Sequence, residues 1–139
     1  MITPAWTAPK TVSALSTTRQ GGVSVAPFDS FNMGLHVGDD EQAVLANRAL
    51  LTNQLPNPAV WLNQTHSSEV VVIDERSELS ELRSADALYT RLVKQPLAIM
   101  TADCLPVLFC SASGNEVAAA HGGWRGLAQG ILANTVAHF

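Results

Sequence analysis

The sequence predicts a fold that mixes strands with helices, and three observations predict it. Short apolar runs of strand length recur, three of them close together at Leu97–Met100, Leu105–Cys110 and Val117–Ala120. Two other stretches, one after Asp40 and one from Trp124 onward, space their apolar residues at helical intervals. Between them lie connections such as Pro27–Asp40, rich in Asp, Ser, Asn and glycine, which read as loops. At 139 residues the chain is long enough for one domain, 1–139, with its own core, and too short to argue for two.

Taken in order, Thr11–Thr18 (TVSALSTT) carries β-branched residues with partial alternation and reads as a strand. It runs into Arg19-Gln20-Gly21-Gly22, which is either a plain turn or a backbone nest presenting amides and a guanidinium to an anion. Asp39 or Asp40 is placed to cap a helix with Val44, Leu45, Leu51 and Leu55 on its apolar side and Pro56 as its stop. The polar pair Asn47-Arg48 is expected to face solvent there, as helix polar residues usually do. His36 reads as an incidental loop histidine.

Val60–Gln64 and Glu69–Ile73 read as two strands joined by Thr65-His66-Ser67-Ser68, short enough for a hairpin with His66 at its tip beside the Gln64 amide. Asp74–Ser84 is charged and reads as a surface helix or loop, and Asp86–Thr90 returns to the sheet. After the three crowded strands, Gly122-Gly123-Trp124-Arg125-Gly126 forms a glycine-rich turn into a helix along Leu127, Ala128, Ile131, Leu132, Thr135 and Val136. His121 stands at the entrance to that turn, and Arg125 adds charge where free helix amides attract anions.

Charge and composition exclude some classes. The formal net charge is −4, without a Lys/Arg cluster or interleaved aromatics, so no nucleic-acid partner is expected. No apolar run reaches the length of a membrane span and MITPAWTAPK lacks the features of a secretory signal, so the reading is cytoplasmic, with no membrane partner. Cys104 and Cys110 are six apart in a strand-like run, too distant along it to bond, which fits a reducing compartment. Charged residues make up 14% of the chain against roughly 25% in ordinary soluble domains. From Gln95 to Phe139 only Asp103, Glu116 and Arg125 are charged, so that half expects cover, from further sequence or by self-association.

Three residues at strand ends or turns, His66, Cys104 and His121, carry metal-binding atoms. A thiolate with two imidazoles is a three-ligand zinc set that leaves a fourth position for water. The same residues also allow a metal-free reading in which His121 draws the proton from Cys104, supported by Asp103 or Gln64. A third reading makes Cys104 a small buried hydrophobe and His121 a satisfied core residue. The spacing alone matches no short metal motif and leaves all three open.

Seven ordered blocks resemble the YfiH-type laccase-domain family, also described as multicopper polyphenol oxidase or purine nucleoside phosphorylase YfiH-like. They are STTRQGGVS at Ser16–Ser24, SFNMGLHVGDD at Ser30–Asp40, ANR at Ala46–Arg48, WLNQTH at Trp61–His66, ADALYT at Ala85–Thr90, TADCLPVLF at Thr101–Phe109 and AAHGGWRGLAQGI at Ala119–Ile131. Two departures are Ser67, where the family usually has glycine, and the pair Gly122-Gly123, where it usually has alanine before GWRG. The resemblance implies an α+β architecture, mixed β-sheets flanked by helices, similar to that of toxin deamidases using a Cys-His pair.

It also implies that His66, Cys104 and His121 bind zinc and form the catalytic centre. The chemistry implied is phosphorolysis of adenosine, inosine or methylthioadenosine and deamination of adenosine. Purine nucleoside and phosphate are then the partners, with Arg19, Arg48, Gln64, Asp103 and Arg125 as candidate substrate or phosphate contacts. The alternatives are a copper-dependent, laccase-like polyphenol oxidase, a metal-free Cys-His hydrolase or deamidase, and a non-catalytic fragment. Family members continue beyond the position of Phe139, so the chain is expected to be an N-terminal portion.

Overall fold

The computed structural model describes all 139 residues, Met1–Phe139. They form two compact units: Met1–Thr7 with Ser13–Pro56, and Ala8–Val12 with Asn57–Phe139.

In the first unit the one long helix, α1 (Glu41–Thr52), begins where expected: the Asp40 carboxylate accepts from the Ala43 amide and caps it. Val44 and Leu51 are the helix's buried apolar residues, and Phe31 and Met33 are buried in the same unit, whereas Leu45 is exposed. Asn47 departs from expectation, because it is fully buried rather than solvent-facing. Its side chain accepts from the Val23 amide and donates to Ser24 Oγ and the carbonyls of Ser30 and Asn32, at 2.8–3.2 Å. The irregular segment on either side of Phe28 thus closes around one amide that replaces a missing backbone ladder. The strand expected over Thr11–Thr18 is absent: Ser16 makes a lone bridge to Ile2, and the Val12 amide turns back onto the Pro9 carbonyl.

The second unit holds β1 (Leu62–Asn63), β2 (Val70–Ile73), β3 (Arg83–Ser84), β4 (Ala87–Thr90), β5 (Leu105–Cys110) and β6 (Val117–Gly122). Its main sheet has the order β2-β4-β6-β5, with β2 and β4 parallel and the other pairs antiparallel; β1 and β3 form a separate parallel pair. This mixed sheet with helices is the expected α+β class.

The hairpin expected across Thr65–Ser68 does not form. Strands β1 and β2 lie in different sheets, each pairing in parallel with a later strand. The connection Asp74–Asp86 is long enough for the crossover that parallel pairing requires, and β3 lies inside it. Leu97–Met100 also fails to become a strand: Leu97 makes one bridge to Val60, and the backbone groups of Met100 are taken by the Gln64 side chain.

Every residue of β4 is buried, and the strand's alternation distributes them to two cores. Leu88 packs with Val60, Leu62, Ile73 and Ala85, while Ala87 packs with Ala120 and Ile131. The small residues Ala118, Ala119 and Ala120 make β6 a thin central strand. The final helix is two helices, α2 (Trp124–Ala128) and α3 (Ile131–Val136). Gly130 between them sits at φ +88°, a conformation that ends the first and redirects the second. On edge strand β5, Leu105 and Leu108 are exposed, as are Trp124, Leu127 and Val136 on the helices. No helix is long and apolar enough to cross a membrane.

Candidate metal centre

Three pieces of the second unit bring the expected ligands together. His66 comes from the connection between β1 and β2, Cys104 from the residue before β5, and His121 from the body of β6, opposite Pro106. Their donor atoms all lie within 4.8 Å of one another. Cys104 Sγ is 3.9 Å from His66 Nε2, and the two imidazoles meet edge to face with centroids 4.7 Å apart.

The donor set fits a metal ion. A tetrahedral zinc shell with ordinary bond lengths spaces N and S donors roughly 3.3–3.6 Å apart, so Cys104 and His66, at 3.9 Å, are near that spacing, and no pair exceeds 4.8 Å. Gly123 keeps the space clear. A Cβ there would stand 2.8 Å from His66 Cδ2 and 3.3 Å from Cys104 Sγ, which would press directly on two of the three ligands.

Asp86, which the sequence reading placed only in a strand block, is the polar hub of the site. It has no exposure, and its Oδ1 accepts from His121 Nδ1 at 2.8 Å and the His66 amide at 2.9 Å. Oδ2 accepts from the Ser67 amide and hydroxyl at 2.7 and 2.8 Å, and from the Thr65 amide and hydroxyl at 3.1 and 3.3 Å. Burial works to raise this carboxyl, but the hydrogen bonds from His121, Ser67 and Thr65 outweigh it and hold the group below its ordinary value. In the sequence Asp86 shows only as an aspartate immediately before the strand Ala87–Thr90.

Cys104 is partly exposed, and its thiol is pushed up by burial and then by the adjacent Asp103 carboxylate, 3.8 Å away. Without a cation beside it, a thiol in this setting is a poor thiolate nucleophile.

The remaining expected residues fall differently. Gln64 uses both ends of its amide on the Met100 backbone, donating at 2.8 Å and accepting at 2.7 Å. Asp103 is exposed beside Cys104. Arg125 follows Gly123 on α2, with its guanidinium 5.3 Å from the centroid of the exposed Trp124 ring. Arg19 and Arg48 belong to the first unit. There Arg19 donates to the Asp29 carbonyl and pairs with its carboxylate at 3.5 Å. Arg48, half-buried, donates to the Met33 carbonyl, and burial lowers its guanidinium from the ordinary value.

The family described as multi-copper polyphenol oxidoreductase laccase matches residues 13–139. A Haemophilus influenzae protein named purine nucleoside phosphorylase is 51% identical over 99% of this chain and 56% of its own length. The Escherichia coli protein named purine nucleoside phosphorylase YfiH is 48% identical over 100% of this chain and 57% of its own. The crystal structure of a Neisseria meningitidis protein superposes with a TM-score of 0.91 at 47% identity, covering 99% of this chain and 56% of that one. The chain therefore spans a little over half the length of these relatives.

Proposed function

Since the chain belongs to the multi-copper polyphenol oxidoreductase laccase family, with YfiH-type relatives named purine nucleoside phosphorylases, we propose that it carries the zinc centre of a purine nucleoside enzyme. The observation that carries the proposal is the convergence of His66, Cys104 and His121, whose donor atoms lie within 4.8 Å of one another. Two imidazoles and one thiolate match the three-ligand catalytic pattern and leave a position open. Of the chain's four histidines, His66 and His121 join Cys104 in the cluster and His36 and His138 lie outside it, so the cluster itself is a set for one ion.

The reactions are adenosine deamination and nucleoside phosphorolysis. In the first, water adds at C6 of adenosine, the C6–N bond breaks and ammonia leaves. In the second, a phosphate oxygen attacks C1′ of the ribose, the bond to the base nitrogen breaks and ribose 1-phosphate forms. His66, Cys104 and His121 would hold a zinc ion, which would supply Lewis acidity at the site.

The chain's own residues do the rest. His66 and His121 present imidazole nitrogens from fixed backbone, and Cys104 supplies the anionic donor. The Asp103 carboxylate, exposed beside Cys104, would accept a proton from water and return it to the departing group. Arg125, in the same unit as the three ligands, offers phosphate a bidentate partner.

The test is turnover by the zinc-loaded chain. With inosine and phosphate, hypoxanthine and ribose 1-phosphate should appear, and with adenosine, inosine and ammonia. His121→Ala should abolish both, at least 1000-fold. Arg125→Ala should raise the KM for phosphate about tenfold and leave deamination unchanged. Phosphorolysis unaltered in Arg125→Ala would reject the phosphate assignment and spare the metal one. Oxidation of phenols by a copper-loaded chain, with no nucleoside turnover, would instead support the activity named in the family description.

A further inference from the structure

The two histidines are not independently placed. His66 adopts φ +60°, the left-handed region that costs a non-glycine residue about 1–2 kcal/mol. That conformation turns three consecutive amides, those of Thr65, His66 and Ser67, toward one point, and the Asp86 carboxylate occupies it. The result is a backbone nest filled by the protein's own anion. The same carboxylate accepts a hydrogen bond from His121 Nδ1, while the Asp86 carbonyl accepts from the His121 amide at 2.7 Å. One buried residue therefore fixes the backbone of the first histidine and both the backbone and ring of the second. Cys104, whose thiol meets His66 and Asp103, makes no hydrogen bond to Asp86.

We infer that Asp86 is the positioning residue of the metal centre: it presets the two histidines as one unit, with His121 in the tautomer that leaves Nε2 free for the metal, and Cys104 completes the shell. The inference rests on the zinc reading for its metal arm, but the preset histidine pair is a property of the metal-free chain. Loss of a carboxylate that orients a ligand histidine typically costs about 10–100-fold in metal affinity.

Asparagine at this position would keep the volume and lose the function. An amide has one acceptor oxygen, whereas both Asp86 oxygens face only donors: His66 and His121 on one side, Thr65 and Ser67 on the other. An NH2 group must therefore oppose N–H groups on one side.

The test combines two readouts on the parent chain, Asp86→Asn and Ser67→Ala. Long-range proton–nitrogen spectra of the metal-free chain at mildly alkaline pH give the His121 tautomer, and competition against a chromophoric chelator gives the zinc affinity. The parent should show one tautomer with hydrogen on Nδ1. Asp86→Asn should show a mixture and bind zinc about 10–100-fold more weakly. Ser67→Ala removes one hydroxyl from Oδ2 and leaves the His121 bond on Oδ1, so the loop loosens while the tautomer stays.

Hydrogen on Nε2 of His121 in the parent overturns the inference, whether or not Asp86→Asn folds. So does a folded Asp86→Asn chain with parental tautomer and affinity, or a Ser67→Ala chain that loses as much zinc affinity as Asp86→Asn. A parent chain that binds no zinc but holds the Nδ1–H tautomer refutes the zinc reading while leaving the histidine pair preset by Asp86.

Discussion

At the scale of single residues, the types that do chemistry were legible and the groups that hold them were not. His66, Cys104 and His121 announce themselves because thiols and imidazoles have few roles, and the family resemblance selected among those roles. Asp86 and Asn47 stayed hidden because a polar side chain looks the same in a sequence whether it meets water or a buried ring of donors. Asn47 satisfies four partners within irregular chain, so Asn47→Ala should cost on the order of 3 kcal/mol in urea unfolding, through the donors and acceptors it strands. Gly123 makes a sharper distinction. Its φ of −71° suits any residue, so alanine there leaves the backbone content, but its Cβ meets His66 and Cys104. Gly123→Ala is expected to weaken metal binding at least tenfold while the melting temperature of the metal-free chain changes by no more than a few degrees. A loss of stability without loss of metal would show that the glycine serves packing instead.

At the scale of elements, strands with an apolar run of their own were readable. Strand β5 occupies Leu105–Cys110, as the run of apolar residues predicts, and the β4 and β6 stretches formed within a residue or two of expectation. Pairing was less readable, because a hairpin and a pair of parallel crossovers present the same short strands. What decides is the connection after β2, long enough to return in parallel, which a local reading of Thr65–Ser68 does not weigh. Leu88, central to one core and fully buried, gives the energetic check: Leu88→Ala should cost about 2–5 kcal/mol. The far end of the β4–β6 pair is tied by Glu116, which accepts from the Tyr89 hydroxyl at 2.5 Å and from Arg91 Nε at 2.8 Å. Those bonds, Tyr89 first and Arg91 second, hold the Glu116 carboxyl below its ordinary value of 4.5. A depressed carboxyl stabilises the fold fully above its ordinary value and loses that contribution as pH falls through the depressed one. Glu116→Gln should therefore lower the melting temperature at pH 7, and the gap to the parent should narrow as the pH falls below 4.5 and through the depressed carboxyl's own range. A gap that persisted in acid would assign the loss to packing.

For the molecule as a whole, the sequence predicts one domain, and the chain divides its residues between two compact units. All three ligands and Asp86 fall in the second, so the candidate centre is built within one unit from segments up to 55 residues apart in sequence, from His66 to His121. That separation is why spacing alone left the metal, thiol and inert readings level: convergence is a property of the sheet. The exposed residues Leu105, Leu108, Trp124, Leu127 and Val136 fall in the charge-poor half for which cover was expected. The central claim is that this second unit holds one zinc ion on His66, Cys104 and His121. It is tested most directly by elemental mass spectrometry of the purified chain after equilibration with zinc and copper together, beside His66→Ala. About one zinc per parent chain, lost in the variant, is the result predicted. Zinc retained equally by both chains, copper bound in preference, or a folded parent chain with no metal would contradict it.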